Sequence, residues 1–199
     1  MTTAPQEHQE LIRRVLGANY LELGLVRLVV DEDPDGQTTA TAKVLERGQQ
    51  VEVVGKGVGV VDAIYAALLG RYAIEYQSLQ SIRLAGFQVS ADIAATKAAP
   101  AGADAMGTVT IDVLNSEGKR FTFSDTSRSV TASIGRAVVA VVAYFINAER
   151  AFITLWGARQ DALDRGRIDL VQRYTAELAE VVESTSYADV IESKKKSLR

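Results

Sequence analysis

The segment from Gly55 to Ala63 is the strongest constraint that this sequence places on its own fold. The preceding residues, Val51 to Val54, alternate and are mostly β-branched, as a strand requires. The residues that follow repeat apolar side chains at the i, i+3, i+4, i+7 spacing of a buried helix face: Val61, Ile64, Tyr65 and Leu68. We therefore predict a strand, a structural turn at Gly57 and Gly59, and a helix from Val58 to about Leu69.

Two nucleotide-binding interpretations of this turn compete with the structural one. A dinucleotide fingerprint counted from Gly55 requires a third glycine where the chain has Val60. A phosphate-binding P-loop requires Ser or Thr after its Gly-Lys pair, but Lys56 is followed by Gly57. Both patterns are incomplete, so we favour a tight structural turn between a strand and its packed helix.

Composition and charge exclude several classes of partner and site. The chain has 199 residues, is 47% hydrophobic and carries a net charge of -3, which is typical of a soluble globular protein. Its pI near 5.3 argues against nucleic acid or anionic lipid as partners. Cysteine is absent, so disulfides and thiolate metal sites are excluded, and a reducing cytoplasmic location is expected.

Membrane segments are not expected either. Residues 1–10 have neither a basic start nor an apolar core, so they do not resemble a secretory signal. The most apolar run, Ala137 to Ile146, is too short to cross a bilayer. We interpret it as a helix buried in protein.

The hydrophobic pattern predicts an α+β fold made of two tandem β-β-β-α units, with mainly antiparallel sheets and helices on one face. Unit one spans residues 20–71, with strands expected at 20–30, 38–45 and 51–54. Unit two spans residues 79–150, with strands expected at 79–89, 107–114 and 120–123 and a helix at 129–150.

Helical additions are expected at both ends of this duplicated domain. A one-sided apolar stripe within residues 1–19 predicts a short helix that stops at Gly17. Residues 151–192 have apolar positions at helical spacing, broken near Gly166, and predict a C-terminal helical extension. Residues 193–199 form a basic tail, which we interpret as a solvated chain end in preference to a polyanion or membrane contact.

Catalytic and metal-binding constellations are scarce. The only histidine, His8, lies in the polar N-terminal lead, which argues against a histidine base, a catalytic triad or a histidine metal site. Asp62 and Asp125 suit turn or helix N-terminal positions better than acid/base pairs. The acidic segment 31–35 lacks the spacing of a calcium loop. No cofactor and no metal site are expected.

Several segments, in the same order and spacing, resemble the C-terminal regulatory domain of 2-isopropylmalate synthase and citramalate synthase. They match the family's "EAxVKV" strand, its "GxGPVxA" turn, its "YPxLxxIxL" segment, its "GTDA" segment and its "IxEAS" helix start. In this chain the five segments are Thr39–Val44, Gly57–Ala63, Tyr76–Leu84, Gly102–Ala105 and Val130–Ser133. The likeness covers both predicted units, from about Tyr20 to Arg150.

This resemblance implies a domain that dimerises and binds leucine or isoleucine as a feedback effector at the dimer interface. Carried over by position, the effector pocket would include five residues that are apolar or small: Leu84, Phe87, Ala91, Ala105 and Gly107. The chain differs from the family motif at Val60, where proline is usual, and at Gly86-Phe87, where Asp-Tyr is usual.

The sequence contains no catalytic barrel of the kind that the full synthases carry, which needs roughly 250 residues. The leading hypothesis is therefore a non-catalytic regulatory protein. It would form a homodimer, bind a small branched-chain effector and regulate a partner synthase. The alternative is a structural dimerisation scaffold that has lost its ligand. An unrelated enzyme or a nucleotide-binding protein is the third possibility.

Overall fold

The computed structural model describes residues 6–33, 36–91 and 106–182. The strands and α-helices follow the chain in this order: α1 Gln6–Leu16, β1 Leu23–Asp31, β2 Thr38–Glu46, β3 Gln49–Gly57, α2 Val60–Tyr72, β4 Arg83–Ala91, β5 Gly107–Leu114, β6 Arg120–Ser127, α3 Val130–Asp164 and α4 Ile168–Val182. Short 3-10 helices at Gly17–Asn19 and Gln77–Ser81 precede β1 and β4. The α+β class is confirmed.

The two units repeat the same topology. Each contains an antiparallel three-stranded sheet whose strands pair in chain order, β1-β2-β3 and β4-β5-β6, followed by a helix. The edge strands β1 and β4 share an irregularity at the same place. The pairing register shifts between Leu25 and Arg27 in β1 and between Leu84 and Gly86 in β4. A shared bulge at one point of two sheets supports the predicted duplication.

Each sheet buries one face under helices. The alternation in β2 and β5 places small and branched residues on that face, all of them fully buried: Ala40, Ala42, Val44, Val109, Ile111 and Val113. Helix α2 packs on β2 and β3, whereas α3 packs on β5 and β6 and also contacts β1 of the other unit. The predicted arrangement of helices on one face of each sheet is therefore confirmed, and α3 joins the two units.

The glycine segment differs from the prediction. Gly55 and Gly57 lie inside β3, so the turn consists of Val58 and Gly59, and α2 begins at Val60 rather than Val58. The glycines are needed because the helix lies directly against the strand. A Cβ atom on Gly55 would lie 2.3 Å from the Ala67 backbone nitrogen, and one on Gly57 would lie 2.5 Å from the Ala63 nitrogen.

Several other expected boundaries were wrong, including the start of one strand and the end of one helix. The strand expected at 79–89 begins only at Arg83, because Gln77–Ser81 forms a 3-10 helix that buries Leu79 completely. The helix expected to end at Arg150 continues without interruption to Asp164. Residues 150 and 151, where the duplicated domain and the extension were divided, are therefore consecutive residues of one helix.

The terminal helices pack together on the second half of α3. Gly166 adopts a positive φ of 67° between α3 and α4, as expected for a helix break. Helix α4 then packs back along α3 and reaches α1, burying Leu178 and Val181. Among the described residues, α3 alone is long and apolar enough to span a membrane. Most of the apolar stretch of this helix is buried inside the fold.

We predict opposite effects for two glycine-to-alanine variants. Gly55→Ala should lower the free energy of unfolding by about 3 kcal/mol or more, because the new methyl group would overlap the α2 backbone. Gly70→Ala, at an exposed α2 position with no neighbour within 4 Å, should raise that free energy by about 1 kcal/mol. Urea unfolding measures both values. A Gly55→Ala variant as stable as wild type would contradict the close approach.

Candidate functional site

The predicted effector residues lie on two paired strands. Leu84 and Phe87 are on β4, and Ala91 of β4 pairs with Gly107 of β5. Opposite residues of an antiparallel pair point to the same face, and Leu84 and Phe87 lie opposite the buried residues Val113 and Ile111. Ala105 falls outside the described residues, and the side chain of Ala91 is not described. Effector binding at these positions stays a prediction.

The helix-facing side of β4 is only partly covered. Phe87 is 49% exposed and Val89 is 43% exposed, although their β5 partners Ile111 and Val109 are fully buried. At the end of the strand, Gly107 lies close to Val130, the first residue of α3, because a Cβ atom there would lie 3.2 Å from Val130 Cγ2. We call the surface formed by Leu84, Phe87, Val89, Gly107 and Val130 the β4 patch.

The predicted effector pocket did not include Val89 or Val130, although Val130 begins the segment that resembles the family's helix start. Val89 follows Phe87 by two residues, and the period of a strand places both on one face. Val130 is identified only by three-dimensional contact with Gly107.

The corresponding surface of unit one is covered by α3. Leu25 and Leu28 of β1 are partly buried, and they contact α3 so closely that a Cβ atom on Gly135 would lie 2.6 Å from Leu25 Cδ2. Gly135 is the sixth residue of α3, and the sixth residue of α2 is Tyr65. The Tyr65 hydroxyl donates to the Ile82 carbonyl, 3.1 Å away and directly before β4. Among the described residues, the duplicated fold is therefore closed at β1 and open at β4.

The N-terminus of α3 adds polarity to one end of the β4 patch. Ser129 caps the helix, and its side-chain oxygen accepts a hydrogen bond from the Ala132 N–H at 3.2 Å. The first turn of a helix carries a partial positive charge that favours an anionic group. The patch therefore offers apolar surface for an aliphatic side chain and a positive helix end beside it.

Asp125 has a structural partner rather than a free carboxylate. Arg136 of α3 donates two hydrogen bonds to it, at 3.0 and 2.8 Å. This bidentate guanidinium pair holds the pKa of Asp125 below its ordinary value. Asp125 therefore links β6 to α3 through this ion pair, which stabilises the fold near the start of the helix. Among the described residues, no group of three or more carboxylate or histidine side chains is placed to hold a metal ion.

Two buried polar residues of α3 hold the segments that lead into β1 and β4. The Asn147 side chain accepts from the Leu21 N–H at 2.7 Å and donates to the Leu21 carbonyl at 2.8 Å. The Glu149 carboxylate accepts from the Ser78 N–H at 3.0 Å and from the Ser78 hydroxyl at 2.6 Å. One turn of α3 thus fixes the entry of both edge strands.

Burial raises the pKa of Glu149 above its ordinary value of 4.5, and the hydrogen bonds from Ser78 oppose that rise only in part. Between 4.5 and the raised value, the folded protein holds a proton that the unfolded chain has lost. The stability that this proton provides is present below pH 4.5 and is lost as pH rises through the folded pKa.

We predict that Glu149→Gln removes this part of the pH dependence. The difference in free energy of unfolding, wild type minus variant, should be largest in favour of wild type near pH 4.5 and should decrease toward pH 8. Urea unfolding at five pH values provides the measurement, and Glu117→Gln in an exposed turn is the matched control. A difference that is constant with pH, or that grows with pH, would contradict the assignment.

Comparisons with known proteins agree with this architecture. The model of the LeuA allosteric (dimerisation) domain family matches residues 3–146, which include β1 to β6, α2 and the first half of α3. A search of curated proteins found no match. The family match covers well over half of the chain, and the family is a regulatory, dimerisation one without catalytic function. The chain belongs to the LeuA allosteric (dimerisation) domain family.

Proposed function

We propose that this chain is a regulatory dimerisation module that binds a small branched-chain amino acid at the β4 patch and controls a partner synthase. The observation that carries the proposal is the exposure of Phe87 and Val89 on the side of the sheet that helices cover elsewhere. These apolar residues are on the helix-facing surface of the sheet and remain exposed in only one of the two described units. Such a surface fits a ligand or a second protomer that would cover it.

The chemistry of the patch fits an aliphatic amino acid. Burying a leucine-sized side chain contributes about 1.5–3 kcal/mol. A carboxylate at the first turn of α3, beside Val130, gains roughly 0.3–1 kcal/mol from the helix dipole. In the described sheet β4 is an edge strand, and backbone N–H and C=O groups on its outer side would make the remaining polar contacts. This combination favours leucine or isoleucine over polar amino acids.

Dimerisation fits the same surface. Strand β4 is at the edge of its sheet, and a second copy that covers the patch would enclose an effector between two protomers. The family to which the chain belongs is itself a dimerisation family, which supports a homodimer here. The proposal therefore places the effector and the subunit contact on one surface.

A structural dimerisation scaffold is the second candidate. The side chains of the β4 patch are all apolar or absent, so none of them carries a charge to hold an ammonium group. Such a surface can be buried by a second copy alone. Ligand dependence of stability separates the two candidates.

We predict that leucine or isoleucine raises the melting temperature of the purified protein, whereas aspartate does not. A ligand at a hundred times its dissociation constant contributes about 2.7 kcal/mol, which is roughly 5–10 °C for a domain of this size. Val89→Asp should abolish the shift because it places a charge in the β4 patch. The matched control is Val54→Asp, at a 59% exposed valine on the edge strand β3 of the other sheet, and it should keep the shift.

The oligomeric state completes this experiment. Static light scattering should show a dimer for wild type and for Val54→Asp. A flat thermal response to every amino acid, with a dimer that Val89→Asp dissociates, would reject the effector and favour the scaffold. A shift that survives in Val89→Asp would place the ligand elsewhere.

A further inference from the structure

The register shift that β1 and β4 share aligns these two edge strands residue by residue. The shift follows Leu25 in β1 and Leu84 in β4, so the two leucines occupy equivalent positions. Three residues further along each strand, Leu28 is equivalent to Phe87. All four residues lie opposite buried residues of the central strand and therefore face the helices. In a symmetric duplication, α2 would cover this part of β4 in the way that α3 covers β1.

The two helices differ at the position of this contact. A Cβ atom on Gly135 of α3 would lie 2.6 Å from Leu25 Cδ2 and 3.1 Å from Leu28 Cδ2. The equivalent residue of α2 is Tyr65, the sixth residue of its helix, and it is only 7% exposed. Its hydroxyl donates a hydrogen bond at 3.1 Å to the carbonyl of Ile82, the residue before β4. The ring of Tyr65 therefore spans the space between α2 and the start of β4.

This ring is fixed at both of its ends. The Cα atom of Tyr65 belongs to α2 and its hydroxyl is bound at Ile82, so withdrawal of the ring would break a buried hydrogen bond. Helix α2 packs on β2 and β3, and Phe87 on β4 stays 49% exposed. On β1, which faces the helix that has glycine at this position, the equivalent Leu28 is partly buried. Exposure of the edge strand therefore follows the size of the sixth residue of the facing helix.

We propose that Tyr65 is a spacer that holds α2 away from β4, keeps the β4 patch open and thereby acts as a positioning residue for the effector. The rigid ring sets the separation of helix and strand, and this separation sets the room for an aliphatic side chain over Leu84 and Phe87. The inference rests on the proposed function as far as the effector is concerned. The separation of α2 and β4 can be measured without any ligand.

Crystal structures of three variants of the full chain test the spacer directly. In Tyr65→Leu, we expect α2 to lie about 1–2 Å closer to β4, the size of helix shifts in packed proteins, and Phe87 to be less exposed. Tyr65→Phe keeps the ring and should retain the wild-type separation. The matched control is Tyr72→Leu, which removes another buried α2 tyrosine whose hydroxyl is bound to Glu46 at 3.0 Å, on the unit-one hairpin. It should also retain the wild-type separation.

Calorimetric titration with leucine tests the consequence for the effector. Tyr65→Leu should weaken leucine binding by about tenfold, which corresponds to losing roughly half of the burial of a leucine-sized side chain. Tyr65→Phe and Tyr72→Leu should bind leucine like wild type. A purely structural role of Tyr65 would not give this difference, because Tyr65→Leu and Tyr72→Leu both remove a buried ring from α2. If Tyr65→Leu does not fold, Tyr65→Met, whose flexible side chain fills part of the space, should show smaller changes in the same direction.

The two measurements separate failure of the spacer from failure of the proposed function. A wild-type protein that binds no amino acid would reject the effector, while the crystal structures would still decide whether Tyr65 sets the separation of α2 and β4. An unchanged separation in Tyr65→Leu, or an equal shift in Tyr72→Leu, would overturn the spacer. Wild-type affinity for leucine in a Tyr65→Leu protein whose α2 has moved would overturn its role in effector binding.

Discussion

The packing of one long helix against both sheets is the constraint on which the rest of the structure depends. Helix α3 covers β5 and β6 of its own unit and also contacts β1 of the other. The contact with β1 is close, because a Cβ atom on Gly135 would lie 2.6 Å from Leu25 Cδ2 and would force that leucine side chain to move. Asn147 and Glu149 then fix the segments before β1 and β4 on one turn of the helix. The two units consequently share one core.

Sharing α3 makes the duplicated fold asymmetric. Helix α2 lies so close to β3 that Gly55 and Gly57 are needed in the strand, and it carries Tyr65 where α3 carries Gly135. The edge strand β1 is therefore covered by α3, while Phe87 of the equivalent strand β4 remains half exposed. A symmetric sequence pattern thus yields one closed surface and one open surface, and the open one is the candidate for regulation.

Local patterns predicted the parts of this fold that depend on local chemistry. Strict alternation in 107–114 identified β5, and the apolar stripe before Gly17 identified α1. The glycine segment was misplaced because a glycine pair has the same appearance in a turn and in a strand that touches a helix. The 3-10 helix at Gln77–Ser81 was missed because its buried Leu79 resembles a strand residue.

The site could be predicted only in part, since its decisive features are long-range. The family resemblance indicated Leu84, Phe87 and Gly107, which the structure places on one face of sheet β4-β5-β6. It gave no indication that α3 would cover β1 and leave β4 open. The Asn147 bonds join residues 126 positions apart and the Glu149 bonds join residues 71 positions apart, and no local pattern encodes such distances.

Methyl NMR on the leucine- and valine-labelled protein tests the central claim most directly, because it reports the position of a ligand and not only its effect on stability. On addition of leucine, the account predicts chemical-shift changes concentrated at Leu84, Val89 and Val130. Unchanged spectra, or changes centred on Val54 of the opposite sheet, would contradict a regulatory site on β4.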